Sequence, residues 1–379
     1  MEAAGIVRER HLRAVQANGW MTDEGLRELG PAPELHTLNI GGYQGKVTDA
    51  GLQNLRRFPG LRNFQMPWQQ GVTDAGVANL TACPELEIVN VMGTPTGDGL
   101  ISGLRGKSAL RQLSTGRFVT DAGLTGLSEF PVTRLLIDGP YTNSGLQRIA
   151  GMHALEDLDL FWHSTGITPE GFGVLAHMPR LTTLGCDGDL SNDAAMAHFA
   201  AIPGLRNLRA QSAVAGDEGF EALGRSRTLE RFWGRECPNL TGQGFSALSG
   251  IATLQALGVG CRNVDDAALS RLPEFPALRE LTSIGISDAG FRHVGECDGL
   301  ERLLCMYCRD TTDVATGWIA GLRLKYYYAG MTGITDASLE ILAGMDSLES
   351  VELYRIQGVT AGGVAKLASR PGLRVEKSG

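Results

Sequence analysis

The sequence predicts an α/β chain built from repeated strand–helix units, about 15 of them at a period of about 24 residues. Two alternating patterns carry that reading. One is a helix opening, plainest as Thr-Asp-Ala-Gly-apolar, that returns fifteen times between Thr22 and Thr360. The other is Leu-x-x-Leu-x-apolar, which follows each opening by about thirteen residues.

The helix opening has a physical reason at each position. Its clearest copies begin at Thr22, Thr48, Thr73, Thr120, Ser287 and Thr335. Weaker ones begin at Thr96, Thr142, Thr168, Asn192, Gly216, Thr241, Asp265, Thr312 and Thr360. Fourteen of these fifteen anchors are Thr, Ser, Asn or Asp, whose side chains accept a backbone N–H at a helix N-terminus; Gly216 is the exception. Asp follows the anchor in ten copies, where a carboxylate complements the positive end of the helix dipole. Gly stands three residues after the anchor in eleven copies and Ala or Ser in the other four, so the helix can lie close to a neighbour. Positions +4 and +7 are apolar with one exception each, Thr316 and Gly103; an inserted residue puts Leu104 in the place of the latter. That pair marks one buried helical face.

The second pattern reads as a short, half-buried strand. Leu35/Leu38/Ile40, Leu86/Val89/Val91, Leu155/Leu158/Leu160, Leu254/Leu257/Val259 and Leu348/Val351/Leu353 are examples, and their last two apolar positions alternate with other residues. A Pro often precedes the strand, as at Pro33, Pro59, Pro84, Pro131, Pro179, Pro203 and Pro276, closing the helix and restarting the chain. Each repeat is therefore one strand, a turn, one helix and a return turn. Residues 1–20 precede the first repeat; 3–17 are expected to form a capping helix or a degenerate repeat. Residues 21–379 are read as one repeat domain, since no linker or charge run interrupts the register. The terminal PGLRVEKSG reaches a final strand without an evident polar cap of the kind repeat arrays need.

Over roughly residues 21–377 this pattern resembles the leucine-rich repeats. The resemblance implies a solenoid, or horseshoe, with a parallel sheet on its concave face and helices on its convex face. Some copies resemble the cysteine-containing subtype of F-box substrate receptors: Leu229–Cys237, Leu300–Cys308 and the shorter Leu254–Cys261 place Cys after the strand, and Cys83 sits at the other turn. Most copies lack that Cys and no F-box is visible, so no ubiquitin-ligase role is carried over.

Composition narrows the function. The formal charge of −8 argues against a nucleic-acid partner, which would need a basic surface. No apolar run approaches the length of a membrane span, and no signal peptide is read at the N-terminus, so a cytoplasmic protein without membrane partners is expected. Seven cysteines are too sparse for a disulfide framework. Cys305-x-x-Cys308 has ligand-like spacing but no second pair, and Asp187, Asp189 and Asp193 lack the bidentate Glu of a calcium loop, so no metal and no cofactor is expected. Without a nucleophile elbow, phosphate loop or HExxH motif the chain is read as not an enzyme; Asp157, Asp159 and His163 would be the place for one.

What remains is the concave surface. Residues between the strand leucines point out of the sheet, and there Trp68, Trp162, Trp233, Tyr307, Tyr326, Tyr328 and Tyr354 offer aromatic anchors of the kind that dominate interfaces. Asp157 and Asp159, with Asp138, Asp187 and Asp189, form an acidic stretch; Arg209, Arg231 and Arg235 form the basic stretch beside it. The segment 305–330 breaks the repeat pattern, with Thr at +4 and Tyr326–Tyr328 in a strand. The expected function is a non-catalytic interaction module, an adaptor or scaffold, binding a protein or peptide on its concave face. The alternative is a structural protein that self-associates through its ends or its convex helices.

Overall fold

A computed structural model describes residues 12–161, 163–164 and 166–379. Its described residues form sixteen parallel strands in sequence order, β1 to β16, with short helices between them. Close contacts divide the chain into two compact units, residues 1–185 with 202–204 and residues 186–201 with 205–379. The first holds β1 (Ala14–Gln16), β2 (Thr37–Asn39), β3 (Asn63–Gln65), β4 (Ile88–Asn90), β5 (Gln112–Ser114), β6 (Arg134–Ile137) and β7 (Asp157–Leu160). β8 (Thr183–Cys186) spans the division. The second holds β9 (Asn207–Arg209), β10 (Arg231–Arg235), β11 (Ala256–Gly260), β12 (Glu280–Ile284), β13 (Arg302–Met306), β14 (Tyr326–Gly330), β15 (Ser350–Tyr354) and β16 (Arg374–Ser378). Strands lengthen from three residues in β1–β5 to five in β10–β16.

Residues 14–16 are a strand paired with β2, so the helix expected over 3–17 does not reach them; residues 1–11 lie outside the described part. The inward positions behave as their pattern requires. Leu35, Leu38 and Ile40, like Leu26 and Leu52 on the helices, have no exposed surface. Each such side chain contributes about 1.5–3 kcal/mol of burial, and each repeat can bury them only against its neighbours.

The helices are short, four to eight residues, and often tighten into a 3-10 turn, as Asp49–Leu52 does into Gln53–Arg57. The segments Gly123–Glu129, Pro169–His177 and Ala268–Glu274 are 3-10 throughout. Most anchors cap as expected: the Thr22 hydroxyl accepts from the Gly25 N–H and Asn192 from the Ala195 N–H. In one repeat the anchor shifts. Gly97, not Thr96, is the N-cap of helix Asp98–Gly103, and Thr96 is buried against the Thr94 hydroxyl.

The aspartate after the anchor has a partner that the dipole argument does not supply. Asp23 Oδ1 accepts the Thr48 N–H at 2.8 Å and its Oδ2 accepts the Thr48 hydroxyl at 2.6 Å, so each carboxylate clasps the anchor of the next repeat. The clasp recurs at Asp49–Thr73, Asp98–Thr120, Asp121–Thr142, Asp217–Thr241, Asp266–Ser287, Asp288–Thr312, Asp313–Thr335 and Asp336–Thr360. It also explains the small +3 residue. A Cβ on Gly51 would lie 2.1 Å from Asp23 Oδ1, and one on Gly244 2.6 Å from Asp217 Oδ1. Where Ser338 takes that place, its hydroxyl donates to Asp313 Oδ1 at 2.5 Å instead.

The cysteines serve the same stacking. Cys237, Cys261 and Cys308 are buried, and their thiols donate to Ala210, Gly234 and Ser283 carbonyls of the preceding repeat at 3.6, 3.3 and 3.7 Å. Cys305 is wholly buried, and burial pushes its thiol up.

Candidate functional site

In the second unit, strand register arranges the outward side chains in rows. Arg231, Ala256, Glu280, Arg302, Tyr326 and Ser350 are successive partners across β10–β15. Two residues further along lie Trp233, Gly258, Thr282, Leu304, Tyr328 and Glu352, and Ile284, Met306, Gly330 and Tyr354 align beyond them. Parallel pairing sets this order, because alternate residues of each strand share one face.

Strand β11 is the low point of that face, because Ala256, Gly258 and Gly260 put almost nothing outward. Its neighbours lie down over it. A Cβ on Gly258 would stand 2.2 Å from Trp233 Cε3 and 2.6 Å from Cζ3, so the edge of the indole's six-membered ring packs against the glycine; Ile284 covers Gly260, with 2.5 Å to its Cβ. Glu280 is fixed between two arginines, 3.1 Å from Arg302 Nε and 3.7 Å from Arg231 Nη1.

Guanidinium groups on this face rest on tyrosines. Arg302 Cζ lies 4.1 Å from the Tyr326 ring centre, Arg355 Cζ 5.1 Å from Tyr354, and Arg235 Cζ 5.7 Å from Tyr307. Arg235 also meets Glu236 at 2.9 Å. Tyr307 and Arg355 take left-handed backbone (φ 55° and 49°) just past their strands. Burial, and then the Glu352 carboxylate beside it, push the Tyr326 phenol up to about 12, so it remains a hydrogen-bond donor. Trp233, Tyr326, Tyr328 and Tyr354 are half-buried and Tyr307 is exposed.

The first unit carries a smaller aromatic group at the ends of its strands. Trp68 (φ 68°) stacks on Tyr43 at 4.8 Å and lies 6.3 Å from Phe161, which is 6.2 Å from His163. The partner of His163 is Asp138, Nδ1 to Oδ1 at 2.5 Å, and not Asp159 as the sequence suggests. Asp138 is fully buried and leaves the acidic surface stretch; burial pushes its carboxyl above the usual range against the bond to His163. Asp157 meets Arg134 at 3.3 Å, and Asp187 Oδ1 accepts the Gln211 N–H at 2.9 Å. Asp159 and Arg209 are half-buried on β7 and β9, and Trp162 lies outside the described residues. A depression of about 260 Å³ with Gln65, Asn90, Gln112, Arg134 and Asp159 in its lining opens on β3–β7. Among the described residues no group of three or more His, Cys, Asp or Glu is placed to hold a metal ion, and no helix is long and apolar enough to cross a membrane.

The sequence picks out most of these aromatics but misses Glu280, Arg302 and Arg355, and with them the arginine–tyrosine pairing. The available signal was the spacing of about 24 residues, which aligns Arg302 with Tyr326.

No family model matches the chain, and no curated protein sequence does. Solved structures do. An internalin (inlF) from Listeria monocytogenes is similar at 17% identity and a TM-score of 0.43, over 94% of this chain and 88% of that one. The Rad7 and Elc1 complex in yeast is similar at 15% and 0.48, over 99% and 86%. A TLR13–ssRNA13 complex is similar at 14% and 0.56, over 93% and 61%, so the chain spans about three fifths of that protein's length. At such identities the likeness speaks to fold alone. Together with the parallel sheet and its helices, it defines the class: an α/β leucine-rich-repeat solenoid of about 15 repeats.

Proposed function

We propose that the chain is a non-catalytic interaction module that binds a protein or peptide on the open sheet face, centred on β10–β15. The observation that carries this reading is the Trp233 ring packed against Gly258, in one row with Leu304 and Tyr328 and beside Met306 and Tyr354. Rigid aromatic area ringed by charge is the usual anatomy of a docking surface. A single-stranded RNA, the partner in the TLR13 complex, is disfavoured by the formal charge of −8. Self-association by strand addition at β16 is opposed by Arg374, Glu376 and Lys377 on that strand.

The test is affinity capture with wild type and a Trp233→Ala/Tyr328→Ala variant whose denaturation midpoint is first shown to be close to wild type. A protein held by wild type and lost by the variant supports the reading. Equal recovery by both moves the site off this face. Recovery of the chain alone favours assembly.

A further inference from the structure

The second unit's face also indicates the chemistry of its partner. Three guanidinium groups, of Arg235, Arg302 and Arg355, lie over tyrosine rings, and Arg302 and Arg355 are exposed to solvent there. A guanidinium seated on a ring face keeps its N–H edge free and ordered, ready for a carboxylate fork. The carboxylates nearby are already engaged. Glu280 lies between Arg302 and Arg231, Glu236 meets Arg235, and Glu352 stands beside Tyr326, whose phenol it helps to push up. Among the described residues no carboxylate lies within ion-pair distance of Arg355, and Arg302 commits only its Nε to Glu280. Between these arginines lie Trp233, Ile284, Leu304, Met306 and Tyr328, none of which carries charge.

We propose that this face takes an acidic segment of a partner protein, one that places carboxylates on Arg302 and Arg355 and apolar or aromatic side chains on the lane between Trp233 and Tyr328. The proposal rests on the interaction-module reading above and adds its charge sign. Charge complementarity selects this occupant. The chain as a whole is acidic at −8, so an acidic partner is repelled by most of its surface and held where ring-seated arginines gather. A basic partner meets those arginines and finds Glu280 and Glu236 occupied.

The test uses defined polymers and the full chain. Binding of a random glutamate–tyrosine copolymer is followed by fluorescence anisotropy, beside a lysine–tyrosine copolymer and polyglutamate. The variants are Arg302→Gln/Arg355→Gln and, as a control away from the strands, Arg292→Gln in the helix Asp288–Val294, with denaturation midpoints measured for each. Wild type is expected to bind the glutamate–tyrosine copolymer saturably, more tightly than polyglutamate, and to lose about tenfold in affinity in the double variant alone. Salt is expected to weaken the binding. Preference for the lysine copolymer, equal binding by wild type and the double variant, or no binding of the acidic copolymer each overturns the proposal. So does a dimer, seen by light scattering, that the double variant abolishes, since the occupant is then a second copy. None of these outcomes decides the capture experiment, in which a basic partner lost with Trp233 would leave the module reading standing.

Discussion

The Thr241 hydroxyl donates to Asp217 Oδ2 at 2.6 Å and the Thr241 N–H donates to Asp217 Oδ1 at 2.9 Å, so one carboxylate holds both polar groups at the head of the next helix. The Gly244 N–H adds a third bond at 3.0 Å. A side chain that reads as a dipole partner within its own helix is thus also a fastener between repeats.

The chemistry of the clasp predicts which substitutions it tolerates. Asn143 makes the same connection with a different donor sense: its Oδ1 accepts the Thr168 N–H and its Nδ2 donates to the Thr168 hydroxyl oxygen, both at 2.9 Å. Asp217→Asn is therefore expected to cost less than about 1 kcal/mol. Asp217→Ala, which strips the Thr241 and Gly244 N–H groups of their acceptor, should cost about 1–2 kcal/mol after allowance for solvent screening. Urea denaturation of the two variants checks the order; equal losses would show that the amide cannot take over these bonds, and no loss in Asp217→Ala would show that the carboxylate holds nothing.

The glycine at +3 provides a double-variant test. Alanine ordinarily favours a helix over glycine by up to about 1 kcal/mol. Gly244→Ala should nevertheless destabilise, because its Cβ falls 2.6 Å from Asp217 Oδ1. In an Asp217→Ala background the same change is expected to cost less, with only the contacts to Leu240 Cδ1 (2.8 Å) and the residue 217 Cα (3.0 Å) left to relieve. Additive effects of the two substitutions would refute the steric link between them.

Acid should loosen the array in a definite window. Burial alone would raise the Asp217 and Asp313 carboxyls, but hydroxyl and N–H donors from the next repeat hold both below the usual carboxylate range. The Thr360 hydroxyl and N–H hold Asp336 down in the same way. A carboxyl depressed in the folded state contributes stability above its unfolded value, about 3.9, and loses it as pH falls through the folded value. The urea midpoint of wild type is expected to be level near neutral pH and to drop below about pH 4. A triple Asp217→Asn/Asp313→Asn/Asp336→Asn variant should drop less steeply; parallel curves would show that these residues are not the source.

Lys107 is 5% exposed, and its ammonium donates to the Thr81 carbonyl at 3.2 Å, at the end of the 3-10 turn Ala78–Ala82. Burial holds its pKa below the usual lysine value, with the Cys83 thiol a smaller opposing influence. The charged form is therefore penalised in the folded state at neutral pH, and stability should rise as pH climbs through the folded value. Lys107→Met, which keeps the stem and removes the charge, is expected to be neutral or stabilising by about 1 kcal/mol. A loss of more than about 2 kcal/mol would mean that the carbonyl contact outweighs the cost of burying the charge.

The Trp233–Gly258 contact has its own readout. With 5-fluorotryptophan in the five tryptophans, Gly258→Ala should move the resonance assigned by Trp233→Phe, because the new Cβ displaces the indole. A spectrum unchanged at that resonance would mean that the ring does not lie on the glycine.

Much of this molecule is legible in one repeat at a time. Thr22 caps Gly25 three residues away, and Leu35, Leu38 and Ile40 turn inward because alternate strand positions share a face. Local chemistry of that kind also marks Trp233, Tyr326 and Tyr328 as outward aromatics. The pattern misplaces the anchor at Thr96, since an inserted residue slides the cap to Gly97, and it leaves Asp138 on the surface when the loop folds it under His163.

By itself the sequence determined the period, the order of strand and helical segment in most repeats, and the face taken by alternate strand residues, because these follow from contacts within a few residues. Only the tertiary structure decided that Asp217 reaches Thr241, that Arg302 rests on Tyr326 and that Trp233 lies on Gly258. Each of those pairs joins neighbouring repeats, and their meeting depends on the register in which one repeat packs on the next.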